Sequence, residues 1–291
     1  MPKQYSLDEK RKRIVIDPNV QLTISEKEWK EIRDFVRKLV TPPNNRQPPF
    51  KISRTALEAN FKKSFNHSIL VIPDGKGEYK IGAIARAKAY FPKKGMVSKI
   101  IAHLPGTKKK EEGVLGSGGF GYVKLVQWEG EAGTSAIKIQ KATNFSGPEF
   151  EKMKKLNRVQ ATFEGPPKLA ISGEVIKKSY IVMERYSQDL WGYLDEGRRQ
   201  LPDDEKYKLA LAAALAIKEL HDQNILHCDI KPENFMLPMP PKKDKLVAID
   251  FGVSMELNPG EEKIIDVTLG TPAYIEPVPT TRKTINTVVF S

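Results

Sequence analysis

Two polar segments constrain this chain more than anything else in it: Leu226-His227-Cys228-Asp229-Ile230-Lys231-Pro232-Glu233-Asn234 and Ala248-Ile249-Asp250-Phe251-Gly252. Pro232 and Gly252 interrupt regular structure, so both segments read as loops anchored by apolar neighbours. An aspartate, a lysine two residues later, an amide five residues later and a second aspartate before glycine make a metal and phosphate constellation. Oxygen donors of the Asn and Asp types suit Mg²⁺, which keeps several waters and bridges substrate phosphates. Any one of these residues arises by chance in a polar loop. The ordered set does not. Ahead of it, Ile181-Val182-Met183-Glu184-Arg185-Tyr186 reads as a buried strand leaving into a polar connector. A helix then carries Leu209, Leu211, Leu215, Ile217 and Leu220 with alanines between, apolar on most sides and therefore expected to be buried.

Further upstream, Leu115-Gly116-Ser117-Gly118-Gly119-Phe120-Gly121-Tyr122-Val123 spaces glycines as G-x-G-x-x-G-x-V. Without Cβ atoms such a turn lets backbone N–H groups approach phosphate oxygens. A purely structural glycine turn explains the spacing as well. A dinucleotide-binding reading needs a helix straight after the glycines, but Tyr122-Val123-Lys124-Leu125-Val126 is strand-like. Ala136-Ile137-Lys138-Ile139 then supplies an apolar strand with one lysine. Buried, that ammonium needs an anion, either a phosphate or a carboxylate; at a strand edge it needs neither. Glu149 stands on one helical stripe with Met153 and Leu156 and is the expected carboxylate partner, with Glu151 as the fallback.

With these blocks in this order, residues 113–277 resemble a eukaryotic-type protein kinase. The resemblance implies an α+β, two-lobed protein-kinase-like fold. It places an antiparallel N-lobe sheet over 113–183 and a partial helical C-lobe over 187–277, with 278–291 as a tail. It implies ATP and Mg²⁺ as cofactors and a protein as substrate. Leu115, Gly116, Gly118, Gly121, Val123, Ala136, Met183, Glu184, Tyr186 and Met236 would line the ATP site. Lys138 would hold the α and β phosphates while pairing with Glu149. Asp229 would orient and deprotonate the substrate hydroxyl, assisted by Lys231, and Asn234 and Asp250 would bind the metal. Lys231, with Thr271 in Gly270-Thr271-Pro272-Ala273-Tyr274, resembles the serine/threonine branch.

The sequence also departs from that pattern. Cys228 stands where most members carry the arginine that receives an activation-loop phosphate, and a thiol cannot make those bidentate bonds. A non-RD kinase, not controlled by loop phosphorylation, is therefore expected, with Thr268 and Ser254 as residual phosphate acceptors. The usual Ala-Pro-Glu is replaced by Glu276-Pro277-Val278, and only 14 residues follow Pro277, where the family has further helices. A truncated chain, a lobe-completing or activating partner, or cover by the front region each accounts for this, and truncation is favoured. The alternative in a different class is a pseudokinase or adaptor that binds nucleotide and acts through its basic front region.

That front region comprises residues 1–112, with 25 Lys+Arg against 12 Asp+Glu; the remainder has 23 against 24. Ser25 and Glu28 form a capping box for a helix over about 25–40, with Trp29, Ile32, Phe35, Val36, Leu39 and Val40 on its apolar face. A proline-rich linker over 41–49 and a strand-rich stretch over 68–104 follow. Arg11 to Arg13, Lys93, Lys94, Lys99 and Lys108 to Lys110 are read either as a solvated face or as contacts to acidic lipid or nucleic acid. One cysteine excludes an intramolecular disulfide, and no apolar run spans a membrane. A cytoplasmic location is expected. The alternative, from a similarity to kinase effectors of intracellular pathogens, is secretion by a bacterium into the host cytosol.

Overall fold

The computed structural model describes residues 24–43, 46–61, 65, 67–85, 114–118, 121–165, 167–169, 174–195, 201–239, 242, 244–258, 260–261, 263–264 and 269–275, with short strands at 5–8, 13–16 and 284–285. These fall into two compact units: Met1–Phe145 with Val159–Arg185, and Ser146–Arg158 with Tyr186–Ser291.

In the first unit, β1 (Tyr5–Asp8) and β2 (Arg13–Ile16) form an antiparallel pair. The capping box at Ser25 closes as its residue types require: the Ser25 hydroxyl accepts from the Glu28 N–H, and the Glu28 carboxylate accepts from the Ser25 N–H at 3.0 Å. Helix α1 (Glu26–Val40) follows and buries Trp29, Ile32 and Val36, three of the six apolar positions expected. Phe35, Leu39 and Val40 pack on the same cluster, half-buried.

Beyond the prolines lie β3 (Phe50–Ile52), α2 (Arg54–Phe61), β4 (His67–Pro73) and β5 (Tyr79–Ala85). Four more strands, β6 (Val114–Gly118), β7 (Gly121–Trp128), β8 (Thr134–Lys141) and β9 (Val159–Glu164), carry the glycine and lysine blocks and the strand that follows them. After the small β10 (Lys168–Leu169) and β11 (Val175–Ile176) pair comes β12 (Lys178–Met183). One sheet of eight strands results, in the order β3-β4-β5-β7-β8-β12-β9, with β6 on β7.

The sheet runs across the division that the charge break placed at 112. Strand β5 pairs with the second half of β7, Gly82 opposite Trp128 and Ile84 opposite Val126. Leu70, Ile72 and Ile84 pack in one core with Val126, Trp128, Ile137, Ile139, Phe163, Tyr180 and Val182. Charge sorts by solvent exposure, and both ends of this sheet bury apolar faces, so the break in charge is not a break in structure. The stretch that carries Lys93 to Lys110 lies outside the described residues.

The second unit begins with α3 (Gly147–Lys155), capped by Ser146, whose hydroxyl accepts from the Glu149 N–H. The sequence placed this segment inside the 113–183 lobe; it groups instead with the second unit, to which its basic side chains bond. Helices α4 (Leu190–Asp195) and α5 (Asp203–His221) follow. Then come β13 (Ile225–Leu226), β14 (Phe235–Met236), β15 (Val247–Ala248), β16 (Met255–Glu256), β17 (Lys263–Ile264) and β18 (Thr284–Ile285). They pair as β13 with β16, β14 with β15 and β17 with β18.

Helix α5 is less buried than its apolar residues alone suggest. It buries a single stripe, Leu209, Ala212, Ala216 and Leu220, while Tyr207, Leu211 and Leu215 are 76%, 61% and 52% exposed. Among the described residues nothing covers that second face. No helix among them is long and apolar enough to cross a membrane.

Candidate active site

Two short strand pairings and one backbone hydrogen bond in the second unit assemble the chemistry. Strands β13 and β16 pair Leu226 with Met255, and β14 and β15 pair Phe235 with Ala248. The Ile249 N–H donates to the Asn234 carbonyl at 2.9 Å. Asp229, Asn234 and Asp250 therefore sit at the ends of paired strands, as the two loop segments require. Cys228 and Asp250 adopt φ of +60° and +66°, a left-handed conformation that costs a non-glycine residue energy and persists only where its surroundings hold it.

The bonds around Asp229 are dense. Its Oδ1 accepts from the Thr271 hydroxyl at 2.7 Å, and its Oδ2 accepts from the Lys231 ammonium at 2.8 Å. Lys231 also donates to the Thr271 hydroxyl at 2.8 Å, which closes a ring of three side chains. The Asn234 amide donates to the Asp229 carbonyl at 2.7 Å and to Oδ2 at 3.1 Å. Gly270 makes the approach of Thr271 feasible: its φ is +95°, and a Cβ there would lie 2.7 Å from the Cys228 carbonyl oxygen.

Burial pushes the Asp229 carboxyl up. Hydrogen bonds from Lys231, Thr271 and Asn234, with the Lys231 charge, outweigh it and hold the group below its ordinary range. The bond to Asp229 raises the Lys231 ammonium above its ordinary value against a smaller effect of burial. At neutral pH the pair is a carboxylate and an ammonium. His227 orients the loop beneath: the Asp229 N–H donates to its Nδ1 at 3.3 Å, so its Nε2 carries the proton and donates to the Ile249 carbonyl at 2.8 Å.

The donor set fits Mg²⁺. Asn234 is buried and spends its amide nitrogen on Asp229, which leaves its oxygen as the available donor; Asp250 is exposed and contributes a carboxylate. Among the described residues no group of three or more acidic, histidine or cysteine side chains forms a complete metal site. One amide and one carboxylate suit an ion that completes its shell with water and phosphate.

In the first unit, register places the other predicted residues. Val123 lies opposite Lys138 and Leu125 opposite Ala136 on β7 and β8, while Ile181 lies opposite Lys138 and Met183 opposite Ala136 on β12 and β8. Because side chains alternate along strands, Val123, Ala136, Lys138 and Met183 share one face, and Ile137 and Ile139 enter the core on the other. The lysine is thus half-buried on the face away from that core.

The glycine hairpin forms, with Gly116 opposite Val123 and Gly118 opposite Gly121. Leu115 and Gly116 are exposed. Gly121 has φ of +146°, and a Cβ there would meet the Ile139 carbonyl oxygen at 2.2 Å. Only glycine fits.

Glu184 is exposed and Tyr186 half-buried in the connector after β12. Met236 is half-buried on β14 and bridges to Asp189. Glu149 is half-buried in the first turn of α3, whereas Glu151 is exposed and pairs with Lys154 at 3.2 Å, so the fallback partner faces solvent.

The family model of the protein kinase domain matches residues 109–287. The chain belongs to the protein kinase family. Serine/threonine-protein kinase D2 of Homo sapiens is 28% identical over 167 residues, which is 56% of this chain and 19% of that protein. Serine/threonine-protein kinase dkf-1 of Caenorhabditis elegans is 30% identical over 178 residues, 59% of this chain and 24% of that protein. Meiosis-specific serine/threonine-protein kinase MEK1 of Saccharomyces cerevisiae is 34% identical over 91 residues, 31% and 18%. The chain spans about a quarter or less of the length of these relatives.

Two side chains of this kinase domain escaped the sequence reading. Arg158, buried, donates to the Ala248 carbonyl and to Glu219 at 2.8 Å. Lys152, also buried, donates to the Ser254 carbonyl. A lysine beside the buried stripe Met153–Leu156 was the available signal. A further correction concerns Ser254: it is buried and its hydroxyl donates to the Phe251 carbonyl at 2.7 Å, so it presents no accessible phosphate acceptor. Thr268 lies outside the described residues.

Proposed function

We propose that this chain is a serine/threonine protein kinase that transfers the γ-phosphoryl group of ATP to a protein hydroxyl. The observation that carries the reading is the Asp229 carboxylate, held ionised by Lys231, Thr271 and Asn234 at the end of a strained loop. An ionised aspartate with one oxygen bonded to a lysine is equipped to orient a hydroxyl and take its proton. The lysine beside it neutralises negative charge as the phosphoryl group passes. Thr271 ties that loop to the segment that receives the substrate.

The face of the sheet carrying Val123, Ala136 and Lys138 would take the nucleotide, the ammonium neutralising phosphate charge and the backbone amides of Gly116, Gly118 and Gly121 serving as donors to phosphate oxygens. Asn234 and Asp250 would hold Mg²⁺, which would supply neutralisation of charge on the phosphate oxygens. Cys228 offers no cation to a phosphorylated loop, so the activity does not depend on phosphorylation of that loop. The protein acts in the cytosol, on a protein substrate.

The experiment is phosphate transfer from labelled ATP with Mg²⁺ to a panel of serine, threonine and tyrosine peptides. Transfer to serine or threonine is expected, with Asp229→Ala slower by about 10²- to 10⁴-fold. Nucleotide binding without transfer would instead make the chain an adaptor. Transfer undiminished in Asp229→Ala and Lys138→Ala would refute the assignment.

A further inference from the structure

A lysine side chain that is 5% exposed poses a question the phosphoryl-transfer chemistry does not answer: where its charge goes. Lys152 lies on α3 beside the buried Met153, and an ammonium withdrawn from water without a partner is strongly disfavoured. Its Nζ donates to the carbonyl of Ser254, four residues beyond Asp250. Ser254 is itself buried, and its N–H and hydroxyl both donate to the Phe251 carbonyl, at 3.2 and 2.7 Å, closing the turn that leaves Asp250. Met255 then pairs with Leu226, just before Cys228.

On the other side of Asp250, Arg158 donates to the Ala248 carbonyl and sets its guanidinium 5.7 Å from the Phe251 ring centre. Asp250, at φ +66°, is thus bracketed by two buried cations from one helix and the residue shortly after it.

Resting on the kinase reading above, we propose that Lys152 is a positioning residue: it pins residues 250–257 in their working conformation without a phosphate. The arginine that ordinarily couples this segment to the catalytic loop through a phosphorylated side chain is absent, and position 228 carries a thiol. Burial pushes that thiol up, against opposing effects of the Met255 N–H and the Lys152 charge, so it is neutral and asks for no phosphate. The ammonium of α3 supplies the anchor from the opposite side, bonding main chain rather than a modified side chain. Such a bond is available whenever the chain is folded, which makes the segment's order independent of an upstream kinase.

Hydrogen exchange on the nucleotide-free chain tests this. In Lys152→Met the amides of 250–257 should exchange about tenfold to a hundredfold faster, while those of 209–220 in α5 stay as in wild type. Lys152→Arg, which keeps a charged donor, should stay within about threefold of wild type. Unchanged exchange over 250–257, equal acceleration in α5, or Lys152→Arg matching Lys152→Met overturns the proposal.

Should Lys152→Met not fold, wild-type chain freed of phosphate and checked by intact mass decides: its Met255 and Leu257 amides should be as protected as those of β14 and β15. Rapid exchange there overturns it. Phosphoryl transfer gives the second readout, kcat falling with unchanged Mg²⁺-free ADP affinity in Lys152→Met. A wild type that transfers no phosphate refutes the kinase reading while the exchange result still judges the pin.

Discussion

Lys231 and Asp229 define each other's protonation, and this gives the site a directional pH response. Asp229 is held below its ordinary pKa, so its contribution to stability is present above the unfolded value of about 4 and lost as pH falls through the folded one. Lys231 is raised, so its contribution is present below about 10.4 and lost as pH rises through its folded value. Replacing Lys231 by Met removes the bond that most depresses Asp229. The acidic limb of the kcat/KM profile should then move to higher pH; a limb that stays in place would mean the aspartate is tuned by something else. Position 228 gives a second expectation. Cys228→Arg, which restores the family's usual residue, sets a cation beside the buried Lys152 and should cost about 2–4 kcal/mol in urea unfolding rather than confer phosphate control. The residues of the Asp229 loop were legible because the proposed chemistry needs fixed spacings along one strand-loop-strand. Lys152 was not, because a lysine in a helix reads as solvated until the segment that accepts its hydrogen bond is known.

Among the elements, the glycine hairpin separates two roles that one motif conceals. Gly121→Ala forces a Cβ into the Ile139 carbonyl and should displace the β7–β8 ladder, lowering thermal stability by several degrees and weakening nucleotide binding. Gly116→Ala meets nothing within 4 Å and should leave stability unchanged in the same melt. In α1 the capping box is local, and Ser25→Ala should cost about 1 kcal/mol. That box and its apolar stripe were readable because both are set within one turn of helix. The apolar periodicity of α5 leaves its cover undecided. Leu211 and Leu215 repeat at helical spacing, yet only tertiary neighbours decide whether a stripe is covered.

For the molecule, the consequence of the continuous sheet is mechanical. Among the described residues, the region before the glycine hairpin adds β3, β4 and β5 to that sheet, and Arg33 of α1 forms an ion pair with Glu129 beyond β7. Lys80 stands 4.6 Å from the Trp128 ring centre and pairs with Glu131. Deleting residues 1–85 would strip β7 of β5 and expose Val126 and Trp128, which are 0% and 1% exposed. The shortened chain should be aggregation-prone, or should melt at least about 10 °C lower if it stays in solution. An equal melting temperature by calorimetry would show the two parts to be independent.

By itself the sequence determined the family, the strands that carry the glycine and lysine blocks, and the loop that carries Asp229 and Asn234. Those features depend on residue types at short separations, where backbone geometry leaves few alternatives. Only the tertiary structure decided that the basic front strands complete the same sheet, that α3 bonds to the segment after Asp250, and that Ser254 is shut away. These turn on contacts between residues far apart in the chain, as Lys152 finds Ser254 and Gly82 finds Trp128, and no periodicity along the chain encodes that choice.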